Sequence, residues 1–308
     1  MSQPRNTTKP VLSTADSAAI LPGTDPAIAV PVLLANYGPR LHSTALRLCR
    51  HRDDAQDLVQ DVFLQAFRKW HTFRGKSDPG TWLYSIAAHS CKSRLRRKGG
   101  IDKRMPAVSQ LLPWKETTVS RFAAAETGHE SVAQRNEAVA RVRGEISSLP
   151  EHLRVPLLMK EVLGISVLDV ATSLGLTENT VKTRLHRARL MLRKSMVANV
   201  PALPAPSPIF DKNVCIDLLK AKMDALDRGG NAAGFKVPKA DLCDRCRAVF
   251  REFDLVQDAC SQIAADVLPA SLRNAILKEI ALRDSAKRVA PTLRLGRRPV
   301  KTSAVLRR

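Results

Sequence analysis

Residues 164–194 read GISVLDVATSLGLTENTVKTRLHRARLMLRK. Two helical patterns meet here around a short turn. Val167, Val170, Ala171 and Leu174 fall at i, i+3, i+4 and i+7, the spacing of one buried helical face. Gly175 breaks the pattern where a helix end favours a left-handed residue, and Thr177 offers a hydroxyl to cap the free amides of the next helix. That second helix buries Val181, Leu185, Ala188 and Leu192. Its other face carries Lys182, Arg184, Arg187, Arg189, Arg193 and Lys194, with Glu178 the only acid. Helix, glycine-bearing turn and basic helix make the helix-turn-helix pattern, whose second helix enters the major groove of DNA. A solvated basic helix in an ordinary hairpin would account for the charge, but not for the agreement of turn, cap and charge asymmetry.

The totals point the same way. A chain of 308 residues has room for two or three domains. A net charge of +21 calls for a polyanionic partner, most simply nucleic acid, although a membrane surface would attract it too. No apolar run is long enough to span a bilayer, and Asp16, Pro22, Asp25 and Pro26 interrupt any signal-like N-terminal core. The expected location is therefore the cytoplasm. Six cysteines in a chain this long do not form a disulfide framework and read as free thiols or metal ligands.

Taken in order, residues 1–28 are rich in Ser, Thr, Ala and Pro without periodicity and read as a mobile leader, with order expected from about Pro31. The strongest helix of the N-terminal half is Asp53 to Trp70. Ala55, Leu58, Val59, Val62, Phe63, Ala66, Phe67 and Trp70 form its apolar face, while Asp53, Asp57 and Asp61 stack at a spacing of four on another. An acidic row repels DNA, so in so basic a chain it suits a basic protein surface. Thr81 to Arg97 reads as a further helix. Its Trp82, Tyr84 and His89 lie near Lys92, Arg94, Arg96, Arg97 and Lys98, combining charge for phosphate with flat surfaces for unstacked bases. Trp82 taken alone reads as a core aromatic. Periodicity lapses over residues 101–130, a linker, and returns over residues 131–198. VPALPAPSP at residues 200–208 holds four prolines and reads as an extended spacer. A third unit follows at 209–285. From Lys287 onward the chain has eight Lys or Arg and no acid, a basic tail at 286–308.

Two blocks match one family. DAQDLVQDVFLQAFRKW with FRGKSDPGTWLYSIAAHSCKSRLRRK resembles the second domain of extracytoplasmic-function (group 4) RNA polymerase sigma factors of the sigma-70 family. SLPEHLRVPLLMKEVLGISVLDVATSLGLTENTVKTRLHRARLMLR resembles their fourth domain. The resemblance implies an all-α fold with two helical sigma domains, at 29–100 and 131–198, the second ending in the helix-turn-helix. It implies core RNA polymerase and promoter DNA as partners, through the clamp helices of the largest subunit and the beta flap. Asp57, Gln60 and Asp61 would contact polymerase. Trp82, Tyr84, His89, Lys92, Arg94, Arg96 and Arg97 would capture and open the −10 element. The recognition helix would read the −35 element through Thr177, Glu178, Asn179, Thr180, Lys182, Thr183, Arg184, His186 and Arg187. Departures from the family pattern are Ala88-His89 in place of Arg-Asn, Ser93 in place of Asp, and Asp169-Val170-Ala171 in place of Glu-Ile-Ala.

The third unit resembles, more weakly, a zinc-binding anti-sigma domain, through CIDLLKAKMDALDRGG and VPKADLCDRCRAVF. That resemblance makes Cys215, Cys243 and Cys246 candidate zinc ligands. The family's histidine position holds Lys239, and no histidine follows His186. Structural zinc wants four ligands. Cys260 would stand about 21 Å from Cys246 along one helix, leaving Asp241, Asp244 or water for the fourth place. Zinc and a metal-free helical fold with a thiol pair both stay open, and no cofactor is required for sigma function. The reading is recruitment without catalysis, with the C-terminal unit, or a separate anti-sigma partner, as a restraint. A helix-turn-helix regulator acting without polymerase is the alternative, and it leaves the acidic row unexplained. A thiol oxidoreductase built on Cys243 and Cys246 lacks any βαβ pattern around them.

Overall fold

The computed structural model describes residues 12–49, 51–97, 107–120, 129–198, 202–229, 237, 242–265 and 267–289. It is helical throughout, apart from one pair of three-residue strands.

The first helical group is α1 (Thr14–Ala19), α2 (Pro26–Leu48), α3 (Arg52–Lys69) and α4 (Pro79–Arg97). The expected leader is ordered from residue 12, because two caps give it definite turns. Ser13 Oγ accepts from the Asp16 amide at 3.0 Å, and Asp25 Oδ1 accepts from the Ala27 amide at 2.8 Å, with Pro26 in the first helical turn where its missing N–H costs nothing. Ile20 is buried, and Trp70 Nε1 donates to the Thr24 carbonyl at 2.9 Å, so the segment is pinned to the end of α3. Order thus begins well before Pro31, which lies inside α2 together with Pro39. Helix α3 carries the predicted apolar face, with Ala55, Leu58, Val59, Val62, Phe63, Ala66 and Phe67 buried between α2 and α4.

The second group is α6 (His129–Glu145), α7 (Glu151–Leu157), α8 (Val167–Leu174) and α9 (Glu178–Ala198); α5 (Val108–Leu111) precedes it in the linker. Helix α7 runs on as a π turn over Leu158–Val162. Between the groups, β1 (Thr118–Ser120) pairs antiparallel with β2 (Ala202–Pro204), with Val119 opposite Leu203. The expected linker and spacer are therefore tied to each other, and Pro204 is tolerated because it ends a two-stranded edge.

The C-terminal unit is α10 (Lys212–Asp227), α11 (Asp244–Ser261) and α12 (Ala270–Val289). It is not a separate body. Leu255, Val256, Ala259, Cys260, Ile263, Leu272, Ile276 and Ile280 join the same apolar core as the two sigma-like groups. Helix α11 packs on α6 and α9, and α12 lies along α2 and α3. Periodicity marks these helices in the sequence but cannot say what covers their apolar faces.

Candidate nucleic-acid interface

The helix-turn-helix forms as its local signals dictate. Gly175 takes φ +63°, its amide and that of Leu176 closing on the Thr172 and Ala171 carbonyls. Thr177 Oγ1 accepts from the Thr180 amide at 3.2 Å and so starts α9. Val181, Leu185, Ala188 and Leu192 are buried, as their spacing requires.

The basic face of α9 divides in two. Thr177, Glu178, Asn179, Lys182 and Thr183 are exposed at its N-terminal end, with Thr180, Arg184 and Arg187 half-buried beside them. Asn179, Thr180, Thr183, Arg184 and Arg187 line one open concavity together with His152 and Leu153 of α7. This surface carries the Asn179 amide, threonine hydroxyls and arginine cations, groups of the kind that read base edges and phosphates. His152 was not anticipated, since nothing in its local sequence sets it beside a helix 27 residues further on.

Arg189 and Arg193, expected on the same basic face, are turned inward instead. Arg189 is 3 % exposed and bonds Glu161 Oε1 at 2.5 Å and Asp227 Oδ1 at 2.7 Å. Arg193 is fully buried, with Nε on Glu252 Oε2 at 2.6 Å and Nη2 on Glu116 Oε2 at 2.6 Å. Glu252 also accepts from the Ser120 amide at 2.7 Å. Burial by itself would lower both guanidinium pKa values, but the flanking carboxylates hold them above the ordinary arginine value. These arginines therefore stay charged inside the protein and cannot reach DNA. Their acids come from the linker, the π turn, α10 and α11.

His186 also departs from expectation. It is half-buried, and burial first, then the neighbouring Arg189, depress its pKa to about 4, against a smaller upward pull from Asp224 of α10. Its ring belongs to the side of α9 turned toward the C-terminal unit.

On α3, Asp53, Asp57 and Asp61 are exposed and Gln60 is half-buried, so the acidic row is a surface. Leu64, three residues past Asp61 and four past Gln60 on the same side, is buried, and α12 packs along this helix. On α4, Trp82 sits half-buried at the rim of an aromatic cluster, its ring 5.5 Å from those of both Trp70 and Phe73. Tyr84 is not a surface for bases: it is 4 % exposed and stands edge-on to Tyr37 at 6.1 Å, where burial pushes its hydroxyl pKa well up. His89 is exposed, with Nδ1 2.7 Å from the Ser85 carbonyl. The side chains of Lys92, Arg94, Arg96 and Arg97 lie outside the described residues.

The three candidate zinc ligands are neighbours. Cys243 caps α11, its sulfur 3.4 Å from the Cys246 amide, and Cys215 Sγ lies 3.9 Å from the Phe210 carbonyl. Burial, then the adjoining thiols of Cys243 and Cys215, push the Cys246 pKa well up. Among the described residues no three Cys, His, Asp or Glu side chains are placed to hold a metal ion. Structural zinc wants four ligands, and among the described residues these three cysteines have no fourth beside them. Lys239 and Asp241 lie outside the described residues, and Cys260 is sealed in the apolar core.

Fold and site together define an all-α protein with a helix-turn-helix and, apart from it, an exposed acidic row. The family model for Sigma-70 region 2 matches residues 33–101, and that for Sigma-70 region 4 matches residues 140–192. The RNA polymerase sigma-H factor of Pseudomonas aeruginosa is 31 % identical over 176 residues, covering 54 % of this chain and 86 % of that protein. The ECF RNA polymerase sigma-E factor of Escherichia coli is 34 % identical over 137 residues, or 44 % of this chain and 70 % of that one. The sigma factor RpoE, solved in complex with the anti-sigma factor NepR from Bartonella quintana, aligns at 24 % identity and a TM-score of 0.36, over 54 % of this chain and 95 % of that one. The chain belongs to the extracytoplasmic-function sigma factors of the sigma-70 family. Both family models end by residue 192, so the C-terminal unit lies outside them. No helix among the described residues is long and apolar enough to cross a membrane.

Proposed function

We propose that this chain binds core RNA polymerase and directs it to promoters bearing −35 and −10 elements, and that its own C-terminal unit restrains it. The activity is recruitment and duplex opening. The observation that carries the first part is the pairing, within one member of the sigma family, of an exposed acidic row on α3 with an exposed polar and basic concavity on α7 and α9. Asp57, Gln60 and Asp61 serve polymerase. Asn179, Thr180, Lys182, Thr183, Arg184 and Arg187 serve the −35 element, and Trp82 and His89 the −10 element. A regulator acting without polymerase would have no use for the acidic row.

The restraint follows from where α8 sits. This first helix of the helix-turn-helix packs against α4, the helix assigned to −10 capture. Elements numbered −10 and −35 are about 25 base pairs apart, roughly 85 Å at ~3.4 Å per base pair. Two domains packed on each other cannot reach both, so the described arrangement is a closed state. Its clasp is the pair of buried arginines, Arg189 and Arg193, held by acids on the C-terminal unit and the linker.

Transcription in vitro with core polymerase over a promoter library tests both parts. The full chain is expected to support promoter-dependent initiation, and a chain ending at Ala198 to support more of it. Failure of either chain to bind core polymerase in a pull-down would sink the sigma assignment. Equal transcription by the two chains would remove the restraint alone.

A further inference from the structure

A cavity of about 360 Å³ opens where the linker, the spacer, α10 and α11 meet. Its walls are mostly apolar: Trp114 from the linker, Pro208 from the spacer with Phe210 just after it, Cys215 and Leu219 from α10, and Cys246 and Phe250 from α11. None of these residues belongs to the DNA or polymerase surfaces. The volume lies in the range of small-molecule sites, which combine apolar walls with a few placed polar groups. Here the polar groups are two cations of different standing. Arg245 is spent on the protein itself, donating to the carbonyls of Pro206, Pro113, Trp114 and Glu116 at 2.6–3.2 Å. Lys212 is exposed, with its ammonium 5.8 Å from the centre of the Trp114 ring, and it makes no ion pair among the described residues.

We infer that this cavity is an effector site for an apolar monocarboxylate, with its hydrocarbon part between Trp114, Leu219 and Phe250 and its carboxylate on Lys212. At ~30 Å³ for each water-sized group, the space takes about a dozen such groups, the size of decanoate or 1-naphthoate. The lining carries apolar area, one available positive charge and no available carboxylate, so an uncharged or cationic ligand of the same shape gains less.

The position of the cavity also gives the sign of its effect. Arg245 ties the linker and the spacer to α11, and the next residue along the linker from Trp114 and Lys115, Glu116, holds Arg193 of α9. The walls therefore exist only while the C-terminal unit is docked. A ligand that binds the docked form and not the open one shifts the population toward the docked form. The effector is a co-repressor, and this half of the inference rests on the restraint proposed above.

The test uses the full chain. Decanoate and 1-naphthoate are titrated by calorimetry and by Trp fluorescence, with decanol as the uncharged control. Saturable binding is expected, about tenfold tighter for decanoate than for decanol. Lys212→Glu, at an exposed position, should erase that preference. Cys215→Phe, which fills the cavity from a half-buried rim position, should abolish binding of both while circular dichroism stays unchanged. With decanoate at ten times its Kd, promoter-dependent transcription should fall by up to about tenfold, and the chain ending at Ala198 should not respond. No saturable binding by either carboxylate up to millimolar concentration overturns the site, as does unchanged binding by both variants. Binding without any effect on transcription, together with equal activity of the full and shortened chains, overturns the restraint and leaves the site standing.

Discussion

Arg193 decides more than any other single residue. In the sequence it is one more cation on a basic helix; in the fold it is wholly buried between Glu252 and Glu116. Removing one partner of a buried pair typically costs about 3–5 kcal/mol, because the other charge is left without compensation. Glu252→Ala is therefore expected to lower unfolding stability by that order, read by urea denaturation, and to raise transcription by releasing α11. His186 gives a second residue-scale prediction. Its pKa is about 4 in the fold, against an ordinary value near 6.5, so between these values the unfolded or undocked chain binds the extra proton. The contribution of the neutral ring is complete above pH 6.5 and lost as pH falls toward 4. The loss is on the order of 3 kcal/mol. It is felt beside Arg189 and Asp224, the charged groups that act on the ring. His186→Gln should flatten stability against pH in that window; an unchanged profile would mean the ring is not desolvated.

Helix α3 shows what the element scale adds. Its acidic row was readable from a spacing of four, and the row is exposed as expected. The neighbour α12 was not readable, because an apolar stripe such as Leu272, Ile276 and Ile280 packs equally well on many surfaces. Charge reversal at Asp61→Lys is expected to weaken core polymerase binding by about tenfold, roughly 1.4 kcal/mol, in a competition assay. Ile276→Asp, which places a charge at a fully buried position of α12, should do the opposite by undocking α12 from α3. On α9, Lys182→Ala should weaken promoter binding of the holoenzyme and reduce its salt slope by about one, as loss of a phosphate contact does.

Across the whole molecule, the question is how two DNA-reading domains and a third helical unit share one core. Small-angle scattering should find the chain ending at Ala198 more extended for its length than the full chain, since it lacks Asp227 and Glu252. Equal compactness for length would mean that the contact of α4 with α8 holds the domains closed without help. The two sigma-like domains were legible because each repeats local rules: a stripe of apolar residues, a glycine with positive φ, a capping threonine. The docking of the C-terminal unit was not, since Arg189 and Asp227 are 38 residues apart and Arg193 and Glu252 are 59 apart.

What the sequence determined by itself is therefore local and periodic: the helices, the helix-turn-helix with its cap and turn, the acidic row, and the family these define. Helical spacing and capping act within a few residues, so they survive without knowledge of the fold. What only the tertiary structure decided is which charges face solvent. Lys182 and Arg189 look alike in the sequence. One is exposed to solvent and the other is enclosed by two carboxylates from distant segments. A buried arginine needs partners that offset its desolvation, here two carboxylates, and no local pattern records where those partners will be.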